Sequence, residues 1–164
     1  MSMYSTSIPV VLHFLNNLSK ILKKGEAFAE EKNIEGTVLT SARLAPDMFT
    51  LARQVQIACD VAKGCGARLS GIEAPVFEDT ETTFDELQER IQKVATFLES
   101  IPADKIDGTE AKEIKFKAGP NELEFTGEEY LSKFVLPNVY FHITTAYNIL
   151  RHNGVQIGKM DYLA

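Results

Sequence analysis

Apolar residues in this chain recur three and four positions apart over four long stretches, the spacing that places them on one face of a helix. Val11, Phe14, Leu15, Leu18, Ile21 and Leu22 form the first stripe, and Met48, Leu51, Val55, Ala58 and Ala62 the second. Phe84, Leu87, Ile91, Val94 and Leu98 form the third, and the fourth stretch runs from "TGEE" to about Arg151. Such stripes are buried most simply against one another, so the pattern predicts an all-α fold, a four-helix bundle, with residues 1–164 as a single domain. A chain of 164 residues can bury about 70% of the surface its unfolded form exposes, enough to fold without a disulfide or a metal.

Boundary signals refine the pattern. Ser7 and Pro9 suit the start of the first helix, and Gly25 should break or bend it before "EAFAEEKN" resumes. Asp47 in "LAPD" stands where a cap would open the second helix, with Met48 and Phe49 expected in the core; small residues on that helix point to a close neighbour. Thr83 with Glu86, and Thr126 with Glu129, have capping-box spacing. Pro137 should kink the fourth helix, and Gly154 lies past its end. Before it, "EIKFKAGPNELEFT" alternates apolar and charged residues around "AGPN", a small β-hairpin with opposite charges across its strands. The segment "ARLSGIEAPVFEDTET" between the second and third helices is about 16 residues long and can span roughly 50 Å when extended. A link of that length fits a crossover along the bundle, hence an up-down-down-up order.

Charge and motifs exclude several functions. The net charge is −6, and the densest cationic run, "KILKK" at 20–24, reads as a solvated helix end, so nucleic acid is not an expected partner. No pair of helices joined by a short turn carries a basic recognition face. No apolar run reaches the ~20 residues of a membrane span. The N-terminus has no signal-peptide pattern, and Cys59 and Cys65 match neither a redox pair nor a zinc knuckle, so free thiols in a reducing cytoplasm are expected. No G-x-S-x-G elbow is present, and Gly64, Gly66 and Gly71 follow a helix rather than a strand, so they form no phosphate cradle.

The stretches "RLAPDMFTLARQVQIACD" at 43–60 and "YFHITTAYNILRHNGVQIGKMDYLA" at 140–164, with the linker "RLSGIEAPVFED" and the opening "TFDEL", resemble an uncharacterised family within the DinB/YfiT-like superfamily. The resemblance covers essentially the whole chain and implies a DinB-like four-helix bundle, commonly a homodimer. It also brings the superfamily's chemistry into view: metalloenzymes and thiol-dependent S-transferases, their metal held by one histidine on helix two and an H-x-x-x-H pair on helix four.

The histidines do not follow that pattern. His142 and His152 are ten residues apart, about 15 Å in rise and roughly 80° around a helix, so they cannot chelate one ion. Four residues to either side of His142 stand Asn138 and Ala146, and helix two has no histidine. His13 lies opposite the first stripe, facing solvent or a partner, and His152 reads as a residue of a helix C-terminus. A three-histidine metal site is therefore not expected, nor another cofactor; a mixed site of His142 with carboxylates such as Asp60 is the one metal alternative left, with nothing in the spacing to bring them together. His142 shares its side of helix four with Val135, Val139, Ala146, Ile149 and Leu150, which points its ring inward. It is either a core histidine or the floor of a polar pocket with Arg53, Gln54, Asp60 and Tyr147, open to a small polar or anionic ligand. The expected function is that of a ligand-binding or interaction protein, with a thiol S-transferase as the alternative.

Overall fold

The computed structural model describes residues 1–164 and is mostly helical, with one two-stranded antiparallel sheet. Helix α1 spans Met3–Lys32 and begins earlier than Ser7 and Pro9 suggest. Ser2 is the cap, and it exchanges hydrogen bonds with Ser5. Ser7 is buried inside the helix with its hydroxyl on the Met3 carbonyl at 2.6 Å. Pro9 is tolerated there because it and Ser5 are both exposed, so the Ser5 carbonyl left without a donor can turn to water. Gly25 does not break the helix. A Cβ at Gly25 would sit 3.0 Å from Leu150 Cδ2 and 3.3 Å from Phe84 Cε1, so its role is close approach of two other helices.

Helix α2, Gly36–Thr40, is short. Helix α3 spans Leu51–Ser70 and is capped by Thr50, which accepts the Arg53 amide, rather than by Asp47. A β-bridge between Arg43 and Thr50, and a bond from the Leu51 amide to the Ala42 carbonyl, hold the preceding residues as a tight loop. Met48 and Phe49 therefore lie outside the helix; Met48 is half-buried and Phe49 is 54% exposed, contrary to the core position expected of both. Small residues line the inner face of α3. A Cβ at Gly66 would meet Ile101 Cδ1 at 2.6 Å and Leu98 Cδ2 at 2.7 Å.

Helix α3 runs through four residues read from the sequence as linker and ends at Gly71, whose φ of 79° favours glycine. Residues 71–83 then lead to helix α4, Phe84–Glu99, which carries the Thr83–Glu86 capping box and buries all five residues of its predicted stripe. A 3₁₀ turn at Ala103–Lys105 precedes strands β1, Glu113–Ala118, and β2, Asn121–Thr126. The register pairs Ile114 with Phe125, Phe116 with Leu123, Lys115 with Glu124 and Lys117 with Glu122, so apolar and charged residues fall on opposite faces.

The Thr126–Glu129 capping box opens a helical turn α5, Gly127–Glu129. A π-helical segment, Tyr130–Val135, continues into helix α6, Leu136–His152. The distortion expected at Pro137 takes this form: proline cannot donate to the carbonyl one turn back, and a wider turn ahead of it accommodates that loss. A last helix, α7, spans Lys159–Leu163 and has no counterpart in the apolar pattern. It packs on α1, where Lys24 pairs with Asp161 at 2.5 Å, Lys20 reaches the Ala164 carbonyl, and the His13 ring meets the Leu163 carbonyl at 2.9 Å. The lysines of "KILKK" thus fasten the C-terminal residues instead of ending a helix in solvent.

Helix α3 packs on α6, α4 and α1, and α1 packs on α4 and α6. These helices contribute to one cluster of 34 buried apolar residues running from Met3 to Ile157. No helix is long and apolar enough to cross a membrane.

The start of α5 offers a stringent test of this packing. A Cβ at Gly127 would lie 2.0 Å from the Thr109 backbone oxygen, which no rotamer change can move. Gly127→Ala should cost about 1–3 kcal/mol, read as a lower urea midpoint with unchanged slope. Gly158→Ala, with nothing within 4 Å of its added carbon, should stay within about 0.5 kcal/mol of the parent. Equal midpoints for the two variants would refute the placement.

Candidate functional site

On α3, Arg53, Gln56, Asp60 and Lys63 recur at intervals of three, four and three, which gathers them within an arc of about 80°. That arc looks away from the apolar stripe and toward residues 77–82. Between α2, the start of α3 and that linker opens a cleft of about 550 Å³, lined among others by Thr40, Ser41, Arg53, Gln56, Glu81 and Thr82. Arg53 Nη1 donates to Gln56 Oε1 at 3.2 Å and pairs with the Asp79 carboxylate. Gln56 Nε2 donates to Glu81 Oε2 at 3.1 Å, and Thr40 Oγ1 donates to the Thr82 carbonyl at 2.6 Å.

Behind this wall lies Arg90 of α4, only 1% exposed. Nη2 bonds Asp60 at 2.8 Å and Asp79 at 3.1 Å; Nη1 bonds Glu81 at 2.9 Å and the Glu78 carbonyl at 3.1 Å. Nε is buried without a partner. Burial alone would lower the guanidinium pKa, but the Glu81 hydrogen bond and the Asp60 charge outweigh it and raise it further. Burial also opposes ionisation of Asp79, and Arg53 and Arg90 overcome it, holding that carboxyl below its usual range.

His142 stands on a different side of α3, and only Gln54 joins it. Its Nδ1 lies 2.7 Å from Gln54 Oε1, while Gln54 Nε2 donates to the Phe49 carbonyl at 3.4 Å. With the amide nitrogen so committed, Oε1 must accept, which places the imidazole proton on Nδ1 and leaves Nε2 a lone pair. Burial, helped by the Arg53 charge, lowers the His142 pKa and keeps the ring neutral. The exposed Phe141 ring stands edge-on to it, centroids 5.2 Å apart.

The three-histidine centre that the resemblance implies does not fit these residues. Gln54 occupies the helix-two position facing His142, Ala146 has no donor atom, and the Asn138 amide is bonded to the Phe134 carbonyl at 2.6 Å. No three His, Cys, Asp or Glu side chains converge anywhere in the chain so as to hold an ion. Cys59 and Cys65 are both buried and unpaired, and burial pushes their thiols up to about 12, so neither is a ready nucleophile.

The five candidates from the sequence thus separate. Arg53 lines the cleft and Asp60 anchors Arg90, while Gln54 and His142 form a pair between α3 and α6. Tyr147 belongs to neither, its hydroxyl directed to the Ile157 carbonyl at 3.5 Å. Gln56, Thr40, Glu81 and Arg90 were not anticipated. The available signal was the polar stripe along an otherwise apolar helix, set against three acids in "FEDTE" with no other obvious use.

Residues 3–163 match a family described as "Domain of unknown function (DUF1993)". Among solved structures, the chain is similar to a DinB family member protein from Shewanella denitrificans. The two are 46% identical with a TM-score of 0.88, over 98% of this chain and 91% of that one. No curated protein matches the chain.

The neutral state of His142 has a measurable sign. Its folded-state pKa lies below the unfolded value of about 6.5, so its full contribution to stability is present above that pH. As pH falls below it, the unfolded chain takes up a proton that the folded chain resists, and stability declines. Wild-type Tm should therefore fall more steeply than that of His142→Asn from pH 6.5 toward about pH 5. A constant Tm difference between the two across this range would refute the assignment.

Proposed function

We propose a function from one premise: the chain belongs to the DUF1993 family. Within that DinB-like family it acts as a binding protein for a small polar or anionic molecule, held in the cleft beside α2. The observation that carries this reading is a single opening of about 550 Å³ onto which Arg53, Gln56 and Thr40 all border. A cavity of that size with a few placed polar groups and one cation is what a small polar ligand requires. An arginine fork suits a carboxylate or phosphate, and the surrounding threonine and serine hydroxyls can serve as donors or acceptors.

The four long helices are proposed to form an up-down-down-up bundle with residues 71–83 as the crossover, the whole of 1–164 being one domain. Support comes from the packing of α4 on both α1 and α3, from the common cluster of buried residues, and from the likeness to the DinB family member protein. The fastening of α7 to the start of the chain also favours one folding unit. A homodimer, as the resemblance implies, is proposed with it.

Two measurements test these readings. A panel of small carboxylates, phosphates and sugars is screened by thermal shift, where a true ligand at about 100 times its Kd adds about 2.7 kcal/mol of stability. Ser41→Tyr, which fills the cleft from an exposed position, should abolish the shift; a ligand that binds this variant unchanged lies elsewhere. Light scattering at micromolar concentration should give twice 18.3 kDa, and the monomer mass would reject the dimer.

A further inference from the structure

Residues 72–82 form a strap with no backbone-to-backbone hydrogen bond to any part of the chain. Side chains hold it, and nearly all of them act on Phe77 to Thr82. Arg90 takes Glu78, Asp79 and Glu81; Arg53 takes Asp79; Gln56 takes both the carbonyl and the carboxylate of Glu81; Thr40 takes the Thr82 carbonyl. The Phe77 ring lies against two cations, 4.9 Å from Lys63 Nζ and 5.2 Å from the Arg90 guanidinium carbon. On the outer side Val76 is 91% exposed.

Three groups that border the cleft, Arg53, Gln56 and Thr40, therefore also clasp the strap, whose own Glu81 and Thr82 form part of the cleft wall. With the strap in place, Arg53, Lys63 and Arg90 face Asp60, Asp79 and Glu81, three charges against three. Without it, the same three cations face Asp60 alone, a local charge of +2. Arg90 would then lose the cover that keeps it 1% exposed, and its Nε, buried without a partner, would become available.

We infer that the acidic strap is a built-in occupant of an anion site, and that a small dianion bearing carboxylate or phosphate groups displaces Asp79 and Glu81 from Arg53, Gln56 and Arg90. Binding in the cleft and release of the strap are then one equilibrium. The inference rests on the cleft reading above and adds to it the charge of the ligand and the means of its regulation. A dianion replaces the two carboxylates that leave, so the local balance is kept and Arg90 stays paired. The displacement breaks no covalent bond and needs no proton transfer. It lowers the apparent affinity of the wild-type protein by the fraction of molecules with the strap closed.

The test uses inorganic phosphate and succinate as probes, at constant ionic strength because salt screens such contacts. Asp79→Asn releases Arg53 while leaving Asp60 and Glu81 on Arg90. Amide resonances of Arg53, Gln56 and Thr82 should shift on titration, with affinity at least about tenfold higher in the variant than in the wild type. In the wild-type protein, phosphate should speed chymotryptic cleavage after Phe77, while chloride at equal ionic strength should not. Equal affinity in both proteins, with cleavage at Phe77 indifferent to phosphate, overturns the strap mechanism and leaves the cleft as a site. The absence of shifts at those three residues in either protein, for both probes, overturns the strap mechanism and the anionic cleft together. If Asp79→Asn fails to fold, the wild-type cleavage experiment decides alone, and a rate unchanged by phosphate overturns the proposal.

Discussion

Helix α3 has packed neighbours along one side and a polar stripe along the other, and most of the structure answers to that division. On the apolar side α1, α4 and α6 all approach it, which only a slender helix permits. Ala58, Ala62 and Gly66 supply the slenderness; at Gly66 even a methyl group would lie within 2.7 Å of two buried side-chain carbons. Close-packed interiors do not absorb such an intrusion without displacing neighbours. On the other side, Arg53, Gln56, Asp60 and Lys63 need polar partners wherever they are taken out of water. The linker that follows α3 provides them for Arg53 and Gln56, while Asp60 pairs with Lys63 and with Arg90 of α4, so the two ends of one connection are joined by chemistry as well as by chain.

Arg90 sharpens the requirement. Removing a guanidinium from water costs several kcal/mol even after relaxation, and its four bonding partners come from two places: Asp60 on α3, and two carboxylates and one carbonyl of the strap. A buried ion cluster of this kind is a poor source of net stability, because desolvation offsets most of the attraction. Its effect here is positional. A segment lacking backbone hydrogen bonds is held at one place by side chains that converge on a few residues. In the proposed exchange, a dianion that takes over the Arg53 and Arg90 contacts frees the whole of it, because few other contacts hold it.

The sequence made the repetitive parts legible and concealed the singular ones. The stripe of α4 and both capping boxes could be read because a helix repeats and a cap is local in sequence. The hairpin register followed from alternation around a turn. Helix α3 starts later than Asp47 suggests because a nonlocal bond, Leu51 to Ala42, competes with the local signal there. Helix α1 starts earlier than its sequence suggests for a different reason: Pro9 looks like a first-turn residue, yet its exposed position lets the helix continue around it. Arg90 was hidden among the charges of α4, and its burial depends on partners nine to thirty residues away. Composition could not show that "FEDTE" would return to meet it.

The pair of Gln54 and His142 shows why a resemblance to a metal-binding superfamily does not carry its chemistry to every member. A histidine with a carboxamide opposite it commits its Nδ1 proton to one hydrogen bond, and burial favours the neutral ring. The neighbouring positions serve helix geometry and packing instead, Asn138 bonded to the Phe134 carbonyl and Ala146 buried in the core. Arg53, one residue before Gln54, turns about 100° away along the helix and reaches the cleft. Its charge still lowers the pKa of His142, so a change at Arg53 is felt on both sides of α3. The two polar sites of this protein are thus separate in geometry and joined by a single cation.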